Sequence, residues 1–176
     1  MGKLILPKTY IENIDDALIF LAGPIKGAPL WQDKAIELIH SQDPNIYIIS
    51  PSKEIREEYL NNKLKGSENK FSTQLDWERY YLDLSLKKGV ILFWLPKQKE
   101  NCNKAYARDT LGELGELRGR LIYNKNIKLV IGGEEDFDGF DVIKRNYFAI
   151  SPEMKFYSTL KETCQQAVKL TYPNNK

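Results

Sequence analysis

The chain is poor in the residues that carry the commonest kinds of site chemistry. Two cysteines occur in 176 residues, Cys102 and Cys164, without a CxxC spacing; that excludes a disulfide framework and a thiolate zinc site and suits a reducing compartment. The single histidine, His40, argues against a histidine metal cluster and against a Ser-His-Asp hydrolase. There is no Walker loop and no GxGxxG, so nucleotide use by those routes is excluded. No apolar run approaches the ~18 residues that span a bilayer, and residues 1–10 are too short of apolar side chains for a signal peptide. Blocks of like charge are absent too. Lys and Arg number 26 against 24 Asp and Glu, interspersed to a net +2, which is no footprint for a nucleic acid polymer. These absences leave a soluble, cytoplasmic protein with no membrane association, a small or neutral partner, and no sign of a metal or organic cofactor.

What is present is an alternation of apolar runs and amphipathic stretches that fits one domain over residues 1–176, long enough to bury a substantial core. Residues 18–22, Leu-Ile-Phe-Leu-Ala, run into Gly23-Pro24, the pattern of a buried parallel strand stopped by a turn. A helix follows, from Trp31 to near His40, then a strand over residues 46–49. A short charged helix is expected over 53–60 and a polar loop over 61–70. The spacing of Leu75, Trp77, Tyr80, Tyr81 and Leu84 predicts a helix over residues 73–86, closed by Lys87-Lys88-Gly89. The most apolar run, residues 90–95, reads as the central strand. Further strands are expected over 127–131 and 147–150, and helices over 137–145 and 152–170. Strands alternating with helices imply a parallel sheet with crossover helices. The expected architecture is a three-layer, flavodoxin- or Rossmann-like α/β fold with a mainly parallel five-stranded sheet of order 2-1-3-4-5. Ligands bind such sheets beyond the carboxyl ends of the strands, where the order reverses; this makes the loops after residues 22 and 95 face each other.

Residues 109–120, Asp-Thr-Leu-Gly-Glu-Leu-Gly-Glu-Leu-Arg-Gly-Arg, enter that crevice. Thr110 with Glu113 three residues on has the form of a capping box, and by helix rules alone Glu113 is its N3 glutamate. A carboxylate in the first turn is favoured in its ionised form. Gly112, Gly115 and Gly119 make a stripe without side chains, which suggests close approach by another backbone or a ligand. Glu116 is placed to pair with Arg120.

Four blocks of the sequence, Phe20-Leu21-Ala22-Gly23-Pro24-Ile25, Gln74-Leu75-Asp76-Trp77-Glu78, Ile91-Leu92-Phe93-Trp94-Leu95-Pro96 and Thr110-Leu111-Gly112-Glu113-Leu114-Gly115, resemble the successive motifs of the nucleoside 2-deoxyribosyltransferase-like family. A later match is Gly139 to Arg145. The resemblance implies a flavodoxin-like fold and cleavage of the N-glycosidic bond of a nucleoside or nucleotide, with Glu113 in Glu-Leu-Gly at the nucleophile's position. The family's Asp-x-Gly-x-x-x-Glu-Leu-Gly pattern is broken here, because Asp109 is not followed by glycine; Asp109 is the substitute. For the second acid Asp76, Glu78 and Asp83 compete, and Glu78 is favoured as part of the Trp-Glu pair.

The chemistry so implied passes through an oxocarbenium-like state, with one carboxylate collapsing onto the anomeric carbon and another acid protonating the leaving base. A second base then gives transfer of the (deoxy)ribosyl group, whereas water gives hydrolysis. Trp77, Trp94 and Trp31 are candidates to stack the base, although Trp94 reads more readily as core. Gly23, Pro24 and Ile25 are expected to hold the sugar or a 5′-phosphate. A non-catalytic nucleotide-binding module is the alternative of another class. Members of the family assemble as dimers or larger oligomers with a neighbour contributing to the pocket, so the resemblance also implies a homo-oligomer.

Overall fold

The computed structural model describes residues 3–53, 55, 57, 63–67, 70–100 and 105–172. Cys102 and most of the charged helix expected over residues 53–60 fall outside these. Six strands form one all-parallel sheet: β1 (Lys3–Ile5), β2 (Leu18–Ala22), β3 (Tyr47–Ile49), β4 (Val90–Leu95), β5 (Leu129–Gly133) and β6 (Phe156–Tyr157), in the order β1-β3-β2-β4-β5-β6. Among the described residues five helices flank it: α1 (Trp31–His40), α2 (Gln74–Lys88), α3 (Arg108–Tyr123), α4 (Phe140–Phe148) and α5 (Leu160–Thr171). This is a flavodoxin- or Rossmann-like α/β fold. Apart from the edge strand β1, the remaining five strands, β3-β2-β4-β5-β6, run in the 2-1-3-4-5 order expected from the sequence.

Alternation along the strands divides the core into two layers, because successive side chains of a strand point to opposite faces. Phe20, Ala22, Ile91, Phe93 and Ile131 face one side, where they pack against Trp77 and Tyr81 of α2, Leu114, Leu117 and Leu121 of α3, and Phe140, Ile143 and Tyr147 of α4. Ile19, Leu21, Leu92, Trp94 and Val130 face the other, under Trp31, Ala35, Ile36 and Ile39 of α1 and Cys164 and Ala167 of α5. Both β2 and β4 are buried along their whole length. That is why they read as unbroken apolar runs rather than alternating ones.

Several boundaries differ from the sequence reading. An edge strand, β1, precedes the first expected one and pairs with β3 through Lys3↔Tyr47 to Ile5↔Ile49. No strand forms over residues 147–150; Tyr147 and Phe148 complete α4, and the sheet closes instead on Phe156–Tyr157. A short apolar run does not by itself distinguish strand from buried helix, and here Tyr147 is drawn to the helix side by a hydrogen bond from its hydroxyl to the Leu114 carbonyl at 2.7 Å. The terminal helix consequently starts at Leu160, capped by Thr159 Oγ1, which accepts from the Glu162 amide at 3.2 Å. Strand β5 runs two residues further than expected, to Gly133. Among the described residues no helix is long and apolar enough to cross a membrane.

Candidate active site at the switch point

The order of the sheet reverses between β2 and β4, since β2 is followed in sequence by its neighbour β3 on one side and β4 joins it on the other. Beyond the carboxyl end of β2 lies a cleft of about 260 Å³. Its floor is Phe20 and Ala22, the two β2 side chains on the α2–α4 face. The loop Gly23, Pro24, Ile25 and Lys26 makes one wall, Pro51 and Glu78 another, and Arg108, Asp109, Thr110 and Glu113 of α3 a third.

Each wall has a local cause. Gly23 adopts φ +148°, and a Cβ there would collide with the Trp94 carbonyl and lie 2.9 Å from the Trp31 indole, so glycine is required for the chain to turn over the end of β4. Trp31 is buried and donates from Nε1 to the Pro24 carbonyl at 2.8 Å. It pins the loop and does not line the cleft. Helix α2 is started by a complete capping box between Thr73 and Asp76: the Thr73 amide donates to Asp76 Oδ2 at 2.9 Å and Thr73 Oγ1 accepts from the Asp76 amide at 3.1 Å. These bonds hold the Asp76 carboxyl below its usual range. Asp76 is therefore a cap outside the cleft, not an acid within it. Asp83 lies on the outer side and pairs with Arg120 at 2.9 Å. Of the three acids competing for the second role, Glu78 alone lines the cleft.

Helix α3 begins differently from the sequence reading. Ala107, at φ +57°, is the residue before the first turn and no side chain caps it. Thr110 is buried inside the helix. The capping box expected of Thr110 and Glu113 is thus absent, and Glu113 stands in the second turn, beyond the part of the helix where the dipole acts strongly on a carboxylate. Its ionisation is controlled by burial instead. Desolvation, followed by repulsion from Glu78, Asp109 and Glu116, lifts the Glu113 carboxyl to about 7. Glu78 is also raised, mainly by burial and in part by Asp109, with a hydrogen bond from Gln74 and the charge of Lys53 acting in the opposite sense. Asp109 is almost fully exposed at the rim, 3.5 Å from Arg108 Nε.

The structure therefore brings together Gly23, Pro24, Ile25, Glu78, Asp109 and Glu113. It does not bring in the tryptophans. Trp77 is fully buried and donates to the Thr9 carbonyl at 2.9 Å, and Trp94 is buried on the opposite face of the sheet. Lys26, Arg108 and Gln74 were not singled out by sequence reasoning. Lys26 lay within the loop already expected to face the crevice, and the i,i+4 spacing of Gln74 and Glu78 was a legible hydrogen-bonding pair. The glycine stripe of α3 meets no other backbone: a Cβ at Gly112, Gly115 or Gly119 would have nothing within 4 Å. Among the described residues no three His, Cys, Asp or Glu side chains group as metal ligands.

The fold and the site define an α/β protein with two half-buried carboxyl groups of raised proton affinity lining one switch-point cleft. No protein-family profile matches the chain, and no curated protein matches it either.

Proposed function

We propose that the protein is an enzyme that cleaves the N-glycosidic bond of a (deoxy)nucleoside or nucleotide, with Glu113 as nucleophile and Glu78 as the acid that protonates the leaving base. The observation that carries this reading is the Glu78 and Glu113 pair in one cleft, each raised by burial, with the charge of Glu78 acting on Glu113. Perturbed carboxyls in a concave site are where glycosidic chemistry is done. Repulsion between the two means that the pair holds one proton over a range of pH, the state a nucleophile and an acid need together. That proton rests on Glu113, the more strongly raised of the two, and the productive form carries it on Glu78, so that the ionised Glu113 attacks the anomeric carbon. The bond to the base breaks as Glu78 gives up its proton. A second base, taking the sugar from Glu113, completes transfer of the (deoxy)ribosyl group, and the proton returns to Glu78.

A second reading, hydrolysis of nucleoside 5′-monophosphates, is favoured by one observation. Lys26 and Arg108 place two cations in the same cleft as the carboxyls, and a phosphate is the part of a nucleotide that such cations recognise. In that case water takes the sugar from Glu113. The same reading carries a homo-oligomer: among the described residues Phe20, on the floor, is the one aromatic side chain that lines the cleft, and a neighbouring copy is the proposed source of a second to stack the base. A non-catalytic nucleotide-binding module is the outcome if no turnover occurs.

Chromatography of nucleosides and their 5′-monophosphates, incubated with a second base and with wild-type or Glu113→Gln protein, separates these readings. Exchanged nucleoside identifies transfer, and free base with sugar phosphate identifies hydrolysis of the nucleotide. Glu113→Gln is expected to lose about 1,000-fold or more of the activity, since the nucleophile is gone. The wild-type rate is expected to fall as pH passes about 7, because the pair then loses the one proton that Glu78 must deliver. A folded Glu113→Gln protein of full activity, or a wild-type rate that keeps rising as pH passes 7, overturns the assignment of the two roles.

A further inference from the structure

The Glu78 carboxyl does not meet the cleft alone. Gln74 lies one turn before it on α2 and donates from Nε2 to Glu78 Oε1 at 2.7 Å and to the Pro51 carbonyl at 3.1 Å. Both partners are acceptors, so the orientation of the Gln74 amide is determined: its NH2, not its carbonyl oxygen, must face them. The two hydrogens of Nε2 are then both used. One end of this bridge is within the helix, where i and i+4 side chains are neighbours. The other end is the loop after β3, whose Pro51 is buried and forms part of the cleft wall.

We propose that Gln74 is a positioning residue that decides which oxygen of Glu78 carries the proton. The assignment rests on the glycosidic reading above and follows from valence. An oxygen accepting a short hydrogen bond from an amide is the carbonyl-like oxygen of a protonated carboxyl. Oε1 is occupied in this way, so a proton on Glu78 resides on Oε2. Gln74 also holds the carboxyl plane in one setting against the charges around it. Those are Asp109 on α3 and Lys53 on the loop after β3, whose charges act on Glu78, and Glu113 on α3, which Glu78 itself acts upon. Without the bridge, Lys53 draws the carboxylate towards the loop and the two oxygens become equivalent. Proton delivery to the leaving base then depends on chance orientation. The anchoring of Gln74 to Pro51 makes this setting a property of the fold: the end of β3 and the start of α2 are tied to the same amide.

Gln74→Met keeps the length of the side chain and removes both donors; Gln74→Ala is the second variant should methionine disturb the packing. The first readout is the titration of Glu78 and Glu113 by carboxyl carbon NMR in the wild type and both variants, with thermal melting as the check on fold. The bond from Gln74 favours the charged form of Glu78, so its loss is expected to raise the Glu78 midpoint and to lower that of Glu113, which then has a less ionised neighbour. The second readout is activity: kcat is expected to fall about 10- to 100-fold with little change in KM, as for a misplaced acid, and the pH profile to shift with Glu78. Folded variants in which the Glu78 midpoint stays in place overturn the proposal. A moved midpoint with unchanged kcat and pH profile overturns it as well, because the bridge would then be structural only. If the wild type turns over nothing on the full panel, the glycosidic reading fails by that result alone, and with it the catalytic part of this proposal, while the titration still decides whether Gln74 holds Glu78.

Discussion

The Glu113 carboxyl is the residue on which ionisation and stability are most tightly joined. Its proton affinity in the fold, about 7, is above the ordinary carboxylate value of 4.5, so the folded chain holds this proton more firmly than the unfolded chain does. The resulting stabilisation is fully present below about pH 4.5 and is lost as pH rises through about 7, where the fold must accept a buried charge. At most this amounts to roughly 3 kcal/mol. Glu113→Gln cannot ionise and is free of the penalty. Urea melts of the two proteins are expected to show the variant more stable at pH 8 by ~1–3 kcal/mol, with the difference vanishing as the buffer is taken down to about pH 4.5. A variant less stable than wild type at pH 8 would show that Glu113 is held by bonds that favour its charge. The cysteine thiol at residue 164 behaves in the same sense without consequence for the site: it is buried between α5 and the sheet, and desolvation pushes it up to about 12.

At the level of elements, strands were more legible than helix ends. Residues 18–22 and 90–95 declared themselves because a strand buried on both faces has no polar positions to interrupt it, and the helix closed by Lys87-Lys88-Gly89 ended where those residues put it. The start of α3 was misread because a threonine three residues before a glutamate looks like a cap wherever it occurs, whereas the true start is set by long-range ties. Tyr106 donates from its hydroxyl to the Pro96 carbonyl at 2.8 Å, and Lys97 is bound to Glu134 and Asp136 in the loop after β5. No local pattern announces such ties. The same applies to the site: the blocks that contain Glu78 and Glu113 were visible, but the burial that separates Glu78 from Asp76 depends on which helical face meets the sheet. The glycines of α3 give an element-scale prediction. With open space at each Cβ position, alanine adds no clash and removes the backbone entropy cost of glycine, so Gly115→Ala and Gly119→Ala are each expected to gain ~0.5–1 kcal/mol. Paired chemical melts check this. A loss of stability at low protein concentration would mean that the helix relies on glycine for its own backbone geometry.

For the whole molecule, six large apolar side chains are exposed on one side of the sheet: Leu75 on α2, Leu111, Ile122 and Tyr123 on α3, and Val142 and Phe148 on α4. Tyr123 is 91% exposed. Such a concentration on three adjacent helices is the pattern of a surface that meets a partner, and the proposed homo-oligomer places a second copy there. Light scattering coupled to size exclusion at micromolar concentration is expected to give a multiple of the 20.4 kDa chain mass. A mass of one chain at all concentrations would remove the oligomer from the proposal and leave the cleft to be completed by the substrate alone.

The all-parallel sheet also sets the order in which the chain can assemble. Parallel neighbours cannot be joined by a tight hairpin, so each pairing waits for a crossover to be made and little of the sheet can zip up locally. Strand β1 is the extreme case: Lys3 pairs with Tyr47, and among the described residues β3 is its one partner strand in the sheet. As the chain leaves the ribosome its first strand has nowhere to dock until β3 has emerged, and β3 is itself shared with β2. High contact order of this kind makes for slow folding, and the last inner pairing, β4 with β5, joins the strands on either side of α3. Glu78 and Glu113, carried on the helices before and after β4, can meet only once both of those crossovers have packed on the sheet.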